Sequence, residues 1–177
     1  MGVMVFAYGS LMWNPGFEFV SSRPALLEGW QRSWCVRSTF YRGCADNHGY
    51  VLGLARGGSC VGIAFEVDTG AVVEVLDAIH QREMRESGYQ RAEVTVTCGR
   101  ERFAALTYTS EGSPEPCARD LERAYLTAAG QAGPNREYID QTRGFLRRIS
   151  LHDGLSGIDD ALPKAGFWDR AAAEATG

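Results

Sequence analysis

The sequence predicts an α+β domain, and three observations carry that prediction. Short apolar runs punctuated by glycine fill the N-terminal part of the chain. Helical periodicity appears once in the middle and twice near the end, with a hairpin pattern between, so strands and helices are grouped and do not alternate regularly. Glycine accounts for 21 of 177 residues. That exceeds the usual share of roughly 7% and fits the tight turns and close backbone approaches of a strand-rich or barrel-like fold.

Residues 3–8 form a short apolar run that ends at Gly9-Ser10, a buried strand feeding a loop. Residues 26–38, 50–55 and 60–67 are strand-like, bounded by glycine at Gly43, Gly49 and Gly57-Gly58. After Asp68-Thr69-Gly70 the spacing turns helical over residues 71–86. Residues 89–97 and 102–109 flank Cys98-Gly99-Arg100-Glu101, a connection that predicts a hairpin; Val94 and Val96 alternate with Thr95 and Thr97 as in a half-buried strand. Two helices follow, over 116–129, stopped by Gly130, and over 135–149, entered through Pro134. No repeat, linker or low-complexity tract divides the chain, so one domain is expected over residues 1–177. Its core should lie at about 3–150, and the tail 151–177 should wrap loosely and fray over 171–177.

Eighteen Lys and Arg against 22 Asp and Glu leave a net charge of -4, without the basic surplus of a nucleic-acid binder. No apolar run approaches the roughly 20 residues of a membrane span, and the first residues lack a basic region or cleavage site, so no signal peptide is expected. The five cysteines are odd in number and never spaced C-x-x-C, which reads as reduced thiols in a cytoplasmic protein. There is no G-x-S-x-G, P-loop, G-x-G-x-x-G or H-E-x-x-H. His80 and Glu83 lie three apart on a helix but lack a third ligand nearby, so no metal site is expected.

The informative helix is the one over 71–86. At about 100° per residue, Val72, Val75, Leu76 and Ile79 form a narrow apolar stripe with Glu83 in the middle of it, while Glu74, Asp77 and Gln81 take the solvent side. A carboxylate placed where the core should be is a local inconsistency of the kind that marks sites. The nearby helix C-terminus and the like charge of Glu86 both disfavour ionised Glu83, as desolvation does. A raised pKa suits general acid–base work. An ordinary ion pair with an arginine such as Arg37 is the other reading of Glu83, and Glu86 is its rival for the chemical role. Tyr8-Gly9-Ser10-Leu11, at the end of the first strand, can turn successive backbone N–H groups one way and add a hydroxyl, a cradle for a carboxylate or oxyanion, though such a pair is usually only a turn. Tyr138 belongs to a stripe with Thr142, Phe145 and Ile149 and reads as core, its hydroxyl tied to a neighbour.

These features occur in order in a known family. Phe6-Ala7-Tyr8-Gly9-Ser10-Leu11-Met12-Trp13-Asn14-Pro15 resembles the Y-G-S-L-x-W opening of the ChaC-type γ-glutamylcyclotransferases. Arg32-Ser33-Trp34-Cys35-Val36-Arg37-Ser38 with Arg42-Gly43, the run over 60–67, Arg82-Glu83 with Gly88-Tyr89, and Gly133-Pro134-Asn135-Arg136-Glu137-Tyr138 resemble its later blocks. The resemblance implies a small mixed β-barrel with helices packed around it. It implies cleavage of glutathione to 5-oxoproline and cysteinylglycine without metal or cofactor. It carries the catalytic glutamate onto Glu83 and the substrate loop onto Tyr8, Gly9, Ser10 and Leu11. The chain departs from the pattern at Cys44-Ala45-Asp46-Asn47-His48-Gly49, where the family usually has Pro-Gly, which bears on peptide selectivity more than on chemistry.

That reaction accounts for the missing nucleophile. The substrate's own α-amino group attacks its γ-carbonyl, so the protein must hold a near-attack conformer and move protons, which one carboxyl of raised pKa can do in turn. The expected partner is therefore a small molecule, glutathione or a related γ-glutamyl compound, with neither nucleic acid nor membrane. A cyclotransferase for another γ-glutamyl amine or peptide, and a ligand-binding domain without turnover, stay open as alternatives.

Overall fold

β1, Val3–Ala7, is apolar along its whole length, and Val5, Phe6 and Ala7 are each 1% exposed, so both faces of its inner end are covered. The computed structural model describes residues 2–110 and 114–153. After β1 comes a single 3₁₀ turn, Ser10–Met12, then β2 (Ser21–Ser38) and β3 (Gly49–Val67). α1 (Val72–Glu83) leads to the hairpin β4 (Gln90–Cys98) and β5 (Glu101–Thr109). α2 (Ala118–Thr127), the two-residue strands β6 (Ala129–Gly130) and β7 (Gly133–Pro134), and α3 (Asn135–Asp153) complete the order.

The five long strands close into a barrel in the order β1-β3-β2-β4-β5. β1 is antiparallel to β3, from Val3 opposite Val67 to Ala7 opposite Ile63, and meets β5 in parallel at Val5 and Leu106. The barrel is therefore mixed, and the α+β expectation holds. Phe6, Leu27, Leu54, Val67 and Val96 in its strands are all nearly inaccessible, so both faces of the sheet are covered.

Two strand boundaries differ from the sequence reading. Residues 50–55 and 60–67 belong to one continuous strand, because Gly57 (φ +109°) and Gly58 (φ +59°) form an irregularity opposite Gly29 (φ +78°) and do not form a turn. The β2–β3 register slips there between Glu28 and Trp30, which bends the long hairpin and lets it curl around the barrel. β2 also starts at Ser21, ahead of the expected residue 26. Pro24 lies in that extension, but β4 pairs with β2 only at Leu26 and Leu27, so a missing N–H on the outer edge is tolerated.

The 98–101 hairpin forms as expected, with Gly99 at φ +59°. α3 begins directly after Pro134 and runs to Asp153, four residues past its predicted end. Asn135 starts it with a buried side chain that clamps β3: its Oδ1 accepts from the Tyr50 N–H at 3.0 Å and its Nδ2 donates to the Tyr50 carbonyl at 2.8 Å. That clamp fixes α3 over the end of the barrel where β1 runs out. The expected loose tail beyond residue 153 lies outside the described residues. Among those residues, no helix is long and apolar enough to cross a membrane.

Candidate active site

A cavity of about 300 Å³ opens at that end of the barrel. Its wall includes Ser10, Arg42, Arg82, Glu83, Tyr89 and Tyr138, from five separate segments of the chain. A second space of about 30 Å³, room for about one water molecule, lies further in and shares Ser10, Glu83, Tyr89 and Tyr138 with the first. Tyr8, Gly9 and Leu11 line this inner space. The sequence-predicted site residues thus converge, and Glu83 sits where the two spaces meet.

Glu83 is the last residue of α1. The stripe that places it is real: Val75 and Ile79 are buried and Leu76 packs against the core, while Val73 on the far side is 69% exposed. The Glu83 side chain is 14% exposed. Burial pushes its pKa up to about 7; Arg82 pulls it down and Glu86 pushes it up by lesser amounts. Arg82 Nε lies 3.9 Å from Glu83 Oε1, so the neighbouring arginine is adjacent in sequence and the exposed Arg37 of β2 is not the partner. Burial outweighs this long contact.

Glu86 has a different place from the one the helical count gives it. α1 stops at Glu83, and residues 84–88 turn away because the Glu86 carboxylate has three donors elsewhere. It accepts from Ser38 Oγ, from the Thr39 N–H at 3.1 Å and from the Tyr41 N–H at 2.9 Å. At 3% exposure, Glu86 is the anchor that shapes the 38–42 loop, and through it the position of Arg42. Glu86→Ala is expected to cost about 3 kcal/mol, since three donors would be left without an acceptor. A urea midpoint equal to that of wild type would show that the loop holds itself.

The loop after β1 is fixed from beneath by Arg32. Arg32 is 5% exposed, and its guanidinium donates to the Tyr8 carbonyl at 2.7 Å and to the Val61 carbonyl and lies 3.5 Å from Met12 Sδ. The 3₁₀ turn that follows leaves its first N–H groups without acceptors inside the turn, which is what an anion cradle needs. Gly9 permits a close approach: a Cβ there would come within 3.2 Å of the Tyr138 hydroxyl. Leu11 is buried, so only its backbone can serve a ligand. The Tyr138 hydroxyl accepts from the Leu52 N–H at 3.2 Å, as expected of a buried tyrosine, yet it also faces both spaces. Burial holds the Tyr8, Tyr89 and Tyr138 hydroxyls protonated, with the Glu83 charge adding to the effect.

Three wall residues escape a reading by sequence alone. Arg42 is 14% exposed; its Nη1 donates to the Pro134 carbonyl at 3.1 Å and meets Glu137 at 3.4 Å. It also lines the cavity, which places a cation within reach of an anionic ligand there. Arg82 is committed to the loop after β1. Tyr89 donates to the Leu52 carbonyl at 2.6 Å and so ties the start of β4 to β3. Arg42-Gly43 and Gly88-Tyr89 were visible as glycine-adjacent pairs, but nothing local says which way their side chains turn.

Comparison with known proteins settles the family. The model of ChaC-like proteins matches residues 3–163. The chain belongs to the ChaC-like family. It is 31% identical over 166 residues to the glutathione-specific gamma-glutamylcyclotransferase of Escherichia coli (strain K12), covering 90% of this chain and 71% of that one. It is 33% identical over 168 residues to glutathione-specific gamma-glutamylcyclotransferase 1 of Danio rerio, covering 88% and 82%. The crystal structure of the yeast gamma-glutamyl cyclotransferase specific to glutathione superposes with a TM-score of 0.78 at 18% identity, over 87% of this chain and 90% of that chain. The closed mixed barrel is thus the fold shared with that neighbour.

Proposed function

We propose that this ChaC-like protein is a cytoplasmic γ-glutamylcyclotransferase that cleaves glutathione to 5-oxoproline and cysteinylglycine. The observation that carries the reading is Glu83: a buried carboxyl with a pKa near 7, at the junction of a ligand-sized cavity and an inner space. Such a group is part base and part acid at neutral pH. The names of the relatives support glutathione as substrate. Five free cysteines support a reducing compartment.

The steps follow from the substrate's own chemistry. Glu83 takes a proton from the α-ammonium, and the freed amine attacks the γ-carbonyl carbon, forming the lactam C–N bond and a tetrahedral centre. The N–H groups of the Tyr8–Leu11 turn and the Ser10 hydroxyl stabilise its negative oxygen or hold the α-carboxylate. Glu83 passes its proton to the departing nitrogen as the old C–N bond breaks. It then takes the second proton from the lactam nitrogen and delivers it to the cysteinylglycine amine, which leaves as an ammonium. Arg42 offers its guanidinium to the peptide carboxylate at the mouth.

Incubation with glutathione and a panel of γ-glutamyl amines and peptides, scored by 5-oxoproline release, tests the reading. Release from glutathione above the panel is expected. Release from another γ-glutamyl compound with none from glutathione would move the substrate, and no release from any would overturn the activity.

A further inference from the structure

Among the described residues, Arg82 is the one cation that touches both halves of the candidate site. From the end of α1 its Nη2 donates to Ser10 Oγ at 2.8 Å, its Nη1 donates to the Asn14 carbonyl at 2.9 Å, and its Nε lies 3.9 Å from Glu83 Oε1. Its side chain is 27% exposed and borders the cavity. Ser10 Oγ, used as an acceptor on this side, keeps its own proton to donate on the other. Ser10 lines both spaces, so that proton can reach a ligand held there. A hydroxyl that accepts from a guanidinium is a stronger donor than a free one, because each bond polarises the next.

We infer that Arg82 is a positioning residue that couples the two halves of the site, aiming the Ser10 hydroxyl at the γ-glutamyl end of the substrate while keeping the Glu83 carboxylate ionisable. The inference rests on the functional reading above. Its electrostatic half follows from distance: Glu83 faces Arg82 on its own helix, Glu86 beyond the helix end, Tyr8 after β1, Tyr89 before β4, Tyr108 on β5 and Tyr138 on α3. Arg42 shares the cavity. Of this set Arg82 is the cation in ion-pair range, and the direction of its effect on Glu83 is downward. Its geometric half follows from the fork: Ser10 and Asn14 are held by different nitrogens of one rigid plane, which a lysine cannot reproduce.

Two measurements on the same variants test it. Carboxyl NMR of the free protein follows the titration of Glu83 without substrate. In Arg82→Gln its midpoint is expected to rise from about 7 to about 8, and Arg82→Lys should bring it back toward wild type. The kinetic test is the cycle of Arg82→Gln, Ser10→Ala and the double variant on 5-oxoproline release. Arg82→Gln should lower kcat/KM about 100-fold, and adding Ser10→Ala should lower it little further. Should Arg82→Gln fail to fold, Arg82→Lys carries the same cycle. An unmoved midpoint, or penalties that multiply, overturns the inference. A wild type that turns over no γ-glutamyl compound overturns the functional reading instead, so the two failures are seen in different proteins.

Discussion

Glu83→Gln is expected to lose turnover by about 10⁴-fold while keeping its fold, the largest effect of any single change in the site. General acid–base catalysis by one positioned group is worth about 10² to 10⁴, and here one carboxyl serves as base toward the ammonium and as acid toward the departing amine. Glutamine keeps the volume and polarity of the side chain, so Val75, Ile79 and Leu76 around it have no reason to move. Its amide cannot relay a proton. The loss should fall on kcat, because the turn at Tyr8–Leu11 and the Arg42 donors remain to bind substrate. The check is single-turnover 5-oxoproline release with a melting curve on the same sample. Activity within tenfold of wild type in a folded variant would remove Glu83 from the chemistry.

Much of the frame was legible because local chemistry and tertiary structure agree there. The apolar run of β1 stops at Gly9-Ser10 because the chain must turn under Tyr138, and Gly99 marks a hairpin that the flanking alternation already implies. Glu83 stood out because its neighbours on the helix face are apolar, a relation that holds within twelve residues. What was not legible depends on partners far away in sequence. Gly57-Gly58 looks like a turn; only the facing Gly29 makes it an irregularity within one strand. Glu86 fits the helical count until the donors of residues 38–41 draw it off the helix axis. Arg82 looks like a solvated cation at a helix end, and its acceptors lie 68 and 72 residues upstream.

A second large effect concerns stability, and its sign separates an active-site carboxyl from a structural one. The Glu83 pKa is about 7 in the folded protein, against an ordinary value of 4.5. Between those values the native state holds a proton that the unfolded chain has released. The stabilising contribution of the protonated carboxyl is therefore fully present below about pH 4.5 and is lost as pH rises through about 7. The whole difference amounts to about 3 kcal/mol, already reduced by the attraction of Arg82, and 14% exposure leaves little water to screen it. Glu83→Gln, which has no charge to bury, should accordingly unfold at higher urea than wild type above pH 7.5. The two curves should converge as the pH falls toward 4.5. Paired urea titrations from pH 4.5 to 8 would show this as a gap that opens with rising pH. The opposite pattern, a variant weaker at neutral pH and equal to wild type in acid, is what a carboxylate stabilised by its arginine gives, because such a pair loses its worth on protonation. In that case Arg82 would outweigh burial, Glu83 would be ionised throughout the neutral range, and a proton for the departing amine would have to come from one of the tyrosine hydroxyls around it.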